Sequence, residues 1–455
     1  LWQWLSLSMN SEREEATKMP TASILTFGCK VNQYDSNTIY DTMVRSGYEI
    51  VDPEKNADIC VVNTCTVTNS ADQKARQIIR RIIRKNPQAK IIVTGCYAES
   101  DRQAIKAIPG VSLVFGNREK TEFQRYLDMI NSKKLLQIEP IVHDAVREHA
   151  NFSIGISSPG DRTRAIVKVQ DGCSAFCTYC IIPFVRGRMT SRPLTDIMDE
   201  VGRIATANCK EIVITGVHLA SYGFDIGRKK TLSDVLEQVH SIDGIERIRL
   251  SSIEPMNFPY NLADCMAELP KFQPHFHLPL QAGSDQTLKR MRRRYTIEEY
   301  AGLVEKLRSL FPSVGITTDI MVGFPGETDR DFEDSASFVE EISFSQLHVF
   351  RYSPRRNTPA TDYPNQVDPQ ISAERSRRMI DLGNKLSATF REQMIGKTVN
   401  VLVENSKEDK GNLLTGFSGN YLRVAVDAPD TAINQILPIT LKSLSGETLR
   451  GSIAV

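Results

Sequence analysis

The sequence predicts an α/β chain in three parts: an N-terminal parallel α/β domain, a central partial (β/α)6 barrel and a small C-terminal β-barrel. Three patterns predict it. Residues 21 to about 130 alternate short apolar runs with helix-period segments, the signature of a parallel sheet wound with helices. Between about 160 and 355, six strand-like runs are each followed by a helical or loop connection. Residues 395–455 hold five short runs separated by Gly, Asn and Asp turns.

In the first part, the runs at 23–29, 59–65 and 91–96 each end in a cysteine just past a predicted strand: Cys29, Cys65 and Cys96. The carboxyl ends of parallel strands share one edge, where open α/β sheets bind ligands, so cysteines distant in sequence converge there without a local motif. Gly28 and Gly95, immediately before two of them, permit a tight backbone. Three unrelated core cysteines are the plain alternative, since free Cys is often buried. Cys60 lies inside its strand and reads as core; Cys209 and Cys265, without partners at ligand spacing, read as structural. A helix over about 71–85 sets Ile78, Ile79, Ile82 and Ile83 on one face and Arg76, Arg80, Arg81, Arg84 and Lys85 around the other. That basic face suits phosphate as well as water, which makes Arg80 and Arg84 candidate RNA contacts.

In the central part the strand candidates are 165–170, 212–217, 247–252, 276–280, 316–322 and 347–352, with amphipathic helices at 196–205, 232–240, 298–310 and 329–341. Chemistry in such barrels sits at the carboxyl ends of the strands. Those ends carry Thr215 and Gly216, Ser252 and Glu254, Gln281, and Gly323 of Gly-Phe-Pro-Gly-Glu. Glycines there would let a ligand approach backbone, and the polar side chains could hold a ribose or an amino-acid moiety. His218 reads as a satisfied histidine near the sheet edge, with a ligand-holding role as the alternative, and Gly323 to Glu327 lacks the Lys and Ser/Thr of a P-loop. Lys289-Arg-Met-Arg-Arg-Arg294 is the densest basic cluster; with Tyr295 beside it offering a ring to a base, it reads as a solvated turn or an RNA contact through Arg292 and Arg293.

After the first barrel strand, Cys173, Cys177 and Cys180 follow the CxxxCxxC spacing that binds three corners of a cubane iron–sulfur cluster. Three thiolates on four irons leave one iron open to a small molecule, a catalytic arrangement. Zinc or buried free thiols are the alternatives, although no second CxxC or Cys/His pair completes a closed zinc site. The third part, after a basic helix near 372–394, has strand candidates at 398–403, 413–417, 421–426, 436–441 and 451–453. Small five-stranded barrels commonly bind oligonucleotides, but six basic and six acidic residues over 395–455 give little support to strong RNA binding.

The whole chain of 455 residues has room for two to four domains. Its 56 basic and 55 acidic residues give a net charge of +1, so a nucleic-acid partner must be met by local patches. Nine cysteines, an odd number unevenly spaced, do not make a disulfide scaffold and fit a reducing, cytoplasmic setting. The opening Leu-Trp-Gln-Trp-Leu-Ser-Leu-Ser stretch is too short for a membrane span and lacks a basic n-region; residues 1–20 read as a leader expected to be disordered, and no membrane association is expected.

Four segments carry a family resemblance: Thr26-Phe-Gly-Cys-Lys-Val-Asn-Gln-Tyr-Asp-Ser36, Asn63-Thr-Cys-Thr-Val-Thr-Asn69, Thr94-Gly-Cys-Tyr97 and Asp171-Gly-Cys-Ser-Ala-Phe-Cys-Thr-Tyr-Cys180. With them the chain resembles the radical S-adenosylmethionine methylthiotransferases from about residue 21 onward. The resemblance implies a methylthiotransferase N-terminal domain at 21–135, a radical SAM core at 159–392 and a TRAM domain, an RNA-binding appendage, at 393–455. It implies two 4Fe–4S clusters: an auxiliary one on Cys29, Cys65 and Cys96 that holds the sulfur, and a radical-generating one on Cys173, Cys177 and Cys180 whose open iron chelates S-adenosyl-L-methionine. Tyr179 would then pack on the adenine of that cofactor.

Within the family, the isopentenyl-adenosine subgroup has Gly-Cys-Gln-Met-Asn and the ribosomal-protein subgroup Gly-Cys-Pro-Lys-Asn where this chain has Gly28-Cys-Lys-Val-Asn32. The four segments resemble the third subgroup, and that resemblance implies as substrate tRNA bearing N6-threonylcarbamoyladenosine next to the anticodon, methylthiolated at carbon 2. The other two subgroups' targets remain alternatives, as does a non-catalytic iron–sulfur RNA-binding protein. An electron donor such as flavodoxin or ferredoxin and a sulfur source are implied partners, with no obligate protein partner evident.

Overall fold

The computed structural model describes residues 19–132, 152, 155–156, 163–259, 261–408 and 413–454. All but the last two residues of the expected leader lie outside them, as do the expected domain limits at 135 and 159. By internal contacts the chain divides into two units, Leu1–Thr66 with Ser70–Val142, and Val67–Asn69 with His143–Val455.

The first unit runs β1 (Thr21–Thr26), α1 (Lys30–Arg45), β2 (Glu49–Ile50), β3 (Ile59–Thr64), α2 (Asn69–Lys85), β4 (Lys90–Gly95), α3 (Cys96–Ser100), α4 (Arg102–Lys106), β5 (Val111–Val114) and α5 (Phe123–Asn131). The strands pair in the order β2-β1-β3-β4-β5, all parallel. β3 is buried at every position. A strand covered on both faces can afford no alternation, which is why Ile59-Cys-Val-Val reads as a continuous apolar run. Ile39, Met43 and Phe115 pack one face of the sheet, and Ala75, Ile79, Ile82 and Ile105 the other, with Cys60 among the latter as core.

The second unit begins with β6 (Arg164–Lys168), β7 (Gln170–Asp171), α6 (Ile182–Arg186), β8 (Thr190–Ser191), α7 (Leu194–Thr206), β9 (Glu211–Thr215) and α8 (Leu232–His240). It continues with β10 (Arg247–Leu250), α9 (Leu262–Ala267), β11 (His275–His277), α10 (Asp285–Arg290), α11 (Ile297–Leu310), β12 (Gly315–Val322), α12 (Asp329–Ile342) and β13 (Gln346–Arg351). Two parallel three-stranded sheets, β10-β9-β6 and β11-β12-β13, are joined by single bridges at Ile248 to Phe272 and Ser252 to His277. All six expected strands form and make the partial barrel. The first is shorter than expected: it stops at Lys168, and Gln170 and Asp171 turn away to pair antiparallel with Ser191 and Thr190. That pairing closes the base of the cysteine-bearing loop.

The expected helices form with ends shifted by at most three residues. Three of them start at capping boxes, Thr231 with Asp234, Thr296 with Glu299 and Thr328 with Asp331, which satisfy the first free N–H groups. α13 (Pro369–Glu392) follows, with proline in its first turn and Asp368 accepting from Gln370 N at 2.7 Å. Five strands, β14 (Thr398–Lys407), β15 (Leu414–Ser418), β16 (Arg423–Val426), β17 (Ile436–Ser445) and β18 (Thr448–Ile453), then close a barrel in the order β14-β15-β16-β18-β17 around Val401, Val403, Val424, Ile439 and Leu449. Among the described residues no helix is long and apolar enough to cross a membrane.

Candidate functional site

In the first unit the three cysteines stand at the carboxyl ends of adjacent strands. Cys29 precedes α1, Cys65 follows β3 directly, and Cys96 opens α3 at the end of β4. Two glycines make this possible. At Gly95, with φ +99°, a Cβ would fall 2.3 Å from the Thr64 carbonyl oxygen; at Gly28, with φ +110°, it would lie 3.3 Å from the Cys65 sulfur. Asn32 ties the three loops together from the first turn of α1. Its Nδ2 donates to Phe27 O at 2.7 Å and Thr64 O at 3.1 Å, and its Oδ1 lies 3.9 Å from Cys96 Sγ. On the far side Asn117 Nδ2 approaches Cys96 Sγ at 3.6 Å.

In the second unit Cys173, Cys177 and Cys180 occupy a loop held by backbone bonds. Cys173 N donates to Gly187 O at 3.0 Å, Thr178 N to Met291 O at 3.1 Å, and Ala360 N to Thr178 O at 2.9 Å. Ala175 N points at Cys173 Sγ from 3.4 Å, and Arg293 Nη1 at Cys177 Sγ from 3.8 Å. Burial pushes the Cys173 thiol up to about 12 and raises Cys180 well above its ordinary value. Neither is an anion at neutral pH by itself. Iron that displaces the proton, together with N–H donors to sulfur, supplies the stabilisation such thiolates need.

Both donor sets fit cubane clusters: three thiols each, on glycine-tight or backbone-clamped loops, with N–H groups facing sulfur. Among the described residues no three His, Cys, Asp or Glu side chains converge on a single metal ion. A cubane asks for something else, since each thiolate takes a different iron.

The expected cofactor residues separate into three groups. Tyr179 and Gln281 line one cavity of about 170 Å³ with Cys180, Asp319, Met321 and Phe350. Tyr179 meets Phe324 edge-on at 6.4 Å. Gln281 holds φ +69°, uncommon for a residue with a side chain, with N bonded to Asp319 O at 2.8 Å; such backbones cluster at functional sites. Glu254 pairs with the buried Arg293, which also donates to Pro279 O at 2.9 Å. Thr215, Gly216, Ser252 and Gly323 make a third group. Thr215 Oγ1 bonds Ser251 Oγ at 3.0 Å, and Ser252 bridges to His277. At the two glycines a Cβ would meet protein, Gln170 Oε1 at 2.9 Å from Gly216 and Ser372 Oγ at 2.4 Å from Gly323.

Three expectations need correction. Arg293, taken for an RNA contact, is 7% exposed and committed to Glu254 and the cysteine loop. Tyr295, taken for a stacking ring, is buried with its hydroxyl on Leu280 O at 2.6 Å, because Met291, Arg293 and Tyr295 turn inward while Arg292 and Arg294 between them stay exposed. His218 is not a satisfied histidine: it is buried, burial pulls its pKa down, and its Nε2 has no partner among the described residues. Arg292, Arg80 and Arg84 are exposed as expected.

Sequence reasoning missed Asp319, whose carboxylate lies 3.3 Å from His277 Nε2, and the buried network of Asp35, Asn63, Asn117 and Lys120 beside Cys96. An isolated aspartate in the apolar run 316–322 was the available signal for the first.

The Radical SAM superfamily matches residues 167–339, and the family described as "Uncharacterized protein family UPF0004" matches residues 21–116. The threonylcarbamoyladenosine tRNA methylthiotransferase MtaB of Bacillus subtilis is 37% identical, across 93% of this chain and 94% of its own length. Its namesake in Thermotoga maritima is 38% identical across 94% and 96%. The tRNA-2-methylthio-N(6)-dimethylallyladenosine synthase of Pelotomaculum thermopropionicum is 36% identical across 92% and 94%. Among solved structures, the radical S-adenosylmethionine methyltransferase TsrM from Kitasatospora setae shares the fold, with a TM-score of 0.54 at 15% identity over 79% of this chain and 85% of that one. Near-complete coverage at these identities means that the chain belongs to the radical S-adenosylmethionine methylthiotransferase family.

Proposed function

We propose that this enzyme places a methylthio group on carbon 2 of N6-threonylcarbamoyladenosine, next to the anticodon of tRNA. The observation that supports the reading is the coexistence of two sets of three cysteines, Cys29, Cys65 and Cys96 on three strand-end loops and Cys173, Cys177 and Cys180 on one clamped loop, each set with a donor aimed at a sulfur. An aromatic C–H is neither acidic nor a leaving group, so side-chain acids and bases cannot replace it. Bound at the CxxxCxxC loop, a 4Fe–4S cluster with S-adenosylmethionine supplies a deoxyadenosyl radical that can.

The chain's own residues then have distinct tasks. Cys173, Cys177 and Cys180 hold that cluster, and Arg293 donates to the Cys177 sulfur while fixing the Glu254 carboxylate. Tyr179 and Gln281, on the cavity that includes Cys180, would contact the cofactor. Cys29, Cys65 and Cys96 would hold a second 4Fe–4S cluster bearing the sulfur, with a second cofactor molecule supplying the methyl group. The small C-terminal barrel would serve as a TRAM domain for RNA, and a flavodoxin or ferredoxin and a sulfur source would complete a cytoplasmic system.

The substrate rests on the relatives named MtaB and on Lys30 and Val31 after Cys29. The dimethylallyl-adenosine synthases reach similar identity, which keeps isopentenyl-adenosine as the second reading. The test is anaerobic reconstitution, then turnover with hypomodified tRNA, reductant and S-adenosylmethionine, followed by mass analysis of nucleosides. About eight irons per chain and a methylthio gain on threonylcarbamoyladenosine are expected. A gain confined to isopentenyl-adenosine overturns the substrate, and turnover by Cys177→Ala overturns the radical mechanism.

A further inference from the structure

We propose that Asn117 and Lys120 are positioning residues that set the reduction potential of the cluster on Cys29, Cys65 and Cys96, an inference that rests on reading those cysteines as cluster ligands. Lys120 is a cation inside the first unit. Its side chain is 5% exposed, and that of its partner Asp35 is 6% exposed, at an Nζ to Oδ2 distance of 2.9 Å. A buried ion pair is a poor stabilising device, because removing both charges from water costs about as much as their attraction returns. What the lysine does achieve is orientation. Its Nζ also reaches Asn63 Oδ1 at 3.3 Å and Asn117 Oδ1 at 2.9 Å.

An ammonium group can only donate, so the atom of the Asn117 amide that faces it must be the oxygen. The amide nitrogen is thereby turned toward Cys96 Sγ, 3.6 Å away. The Asn117 backbone is pinned as well, its N–H donating to Glu99 Oε2 at 2.9 Å. The result is a relay: a buried positive charge polarises an amide whose N–H points at the sulfur of a ligand cysteine. Hydrogen bonds and positive charge near a cluster thiolate favour the more negative, reduced form and raise the potential. The Lys120 charge therefore acts on the cluster through Asn117 without touching it.

The test uses the full chain carrying Cys173→Ala, Cys177→Ala and Cys180→Ala, so that one cluster reports. Its midpoint potential is measured by electron paramagnetic resonance during redox titration. Asn117→Ala and Lys120→Gln are each expected to shift the reduction equilibrium toward the oxidised form about tenfold, about 59 mV for one electron, with Lys120→Arg restoring it. Asn117→Ala leaves the Lys120–Asp35 pair intact and carries the test should Lys120→Gln fold poorly. Clusters that form with unchanged potential in Asn117→Ala overturn the proposal. Absence of any cluster in the parent triple variant instead overturns the reading of Cys29, Cys65 and Cys96 themselves.

Discussion

Arg293 shows how one buried residue links the fold to the chemistry. Burial opposes its charge, and the Glu254 carboxylate together with Tyr295, Tyr179 and Cys177 outweighs that, so its guanidinium stays ionised with donors spent on Glu254, Pro279 O, Tyr295 Oη and Cys177 Sγ. Arg293→Met leaves Glu254 unpaired, and breaking a buried pair from one side costs about 3–5 kcal/mol. Denaturant unfolding should show that loss, and turnover should fall more than tenfold. Adding Glu254→Gln to Arg293→Met removes the stranded charge. Stability should then recover in part while turnover does not, because the donor to Cys177 is still missing. The strand-end placement of Cys29, Cys65 and Cys96 was legible because each closes a short apolar run. Arg293 was not, since in a run of basic residues nothing local marks the one whose side chain turns inward, and its partner Glu254 is far off in sequence.

Elements were legible where their signals are local. The Thr328 and Asp331 capping box of α12 is a sequence pattern, but Asp331 also accepts from Ser284 Oγ at 2.6 Å and Arg290 Nη2 at 3.2 Å. Burial pushes this carboxyl up, yet those donors outweigh it and hold it down to about 2, against an ordinary 3.8. A folded pKa below the unfolded one means the unfolded chain takes up the proton first. The stabilisation is therefore complete above about pH 4 and is lost as pH falls toward about 2. Asp331→Asn keeps the Thr328 N-cap but removes the charge that Ser284 and Arg290 address, so it should lower the melting temperature at pH 6, and the gap to the wild type should close on acidification. The two-residue β7 and β8 pairing escaped notice because strands so short carry no periodicity.

The basic face of α2 belongs to the same scale. Arg81 and Lys85 pair with Glu54, and Arg76 donates to the Tyr97 hydroxyl, so three of the five cations are engaged within the unit. Arg80 and Arg84 are exposed. If they meet phosphate, Arg80→Ala and Arg84→Ala should each weaken tRNA binding and lower the slope of log affinity against log salt by about one. Fluorescence anisotropy across salt concentrations checks this, and an unchanged slope assigns the face to water.

At the scale of the molecule, periodicity revealed three segments but not how the last is fastened to the one before it. The alternation in Arg247-Ile-Arg-Leu250 suggests a strand with one wet face. Instead Arg247 and Arg249 are 2% and 1% exposed, because the small barrel covers them. Arg247 donates to Phe417 O at 3.0 Å and Asn400 O at 2.7 Å, and Arg249 to Gly419 O at 2.8 Å and Ser418 O at 3.2 Å. Glu211 on β9 lies beneath both; burial alone would raise its pKa, but Arg249, Arg164 and Arg247 hold it lower and ionised. Arg249 also stacks on the Tyr421 ring at 4.7 Å. These bonds use strand arginines as a latch on barrel carbonyls, so the barrel and the partial barrel should unfold together. Arg249→Met removes two of the carbonyl bonds and strips Glu211 of its nearest cation. Calorimetry should then resolve an earlier transition for the small barrel, and limited proteolysis should release a fragment ending at the C-terminus. Arg249→Lys should not restore the single transition, because an ammonium on a flexible stem cannot reproduce the planar fork that spans a carboxylate and two carbonyls. Coincident unfolding in Arg249→Met would show that apolar packing, not the latch, joins the two.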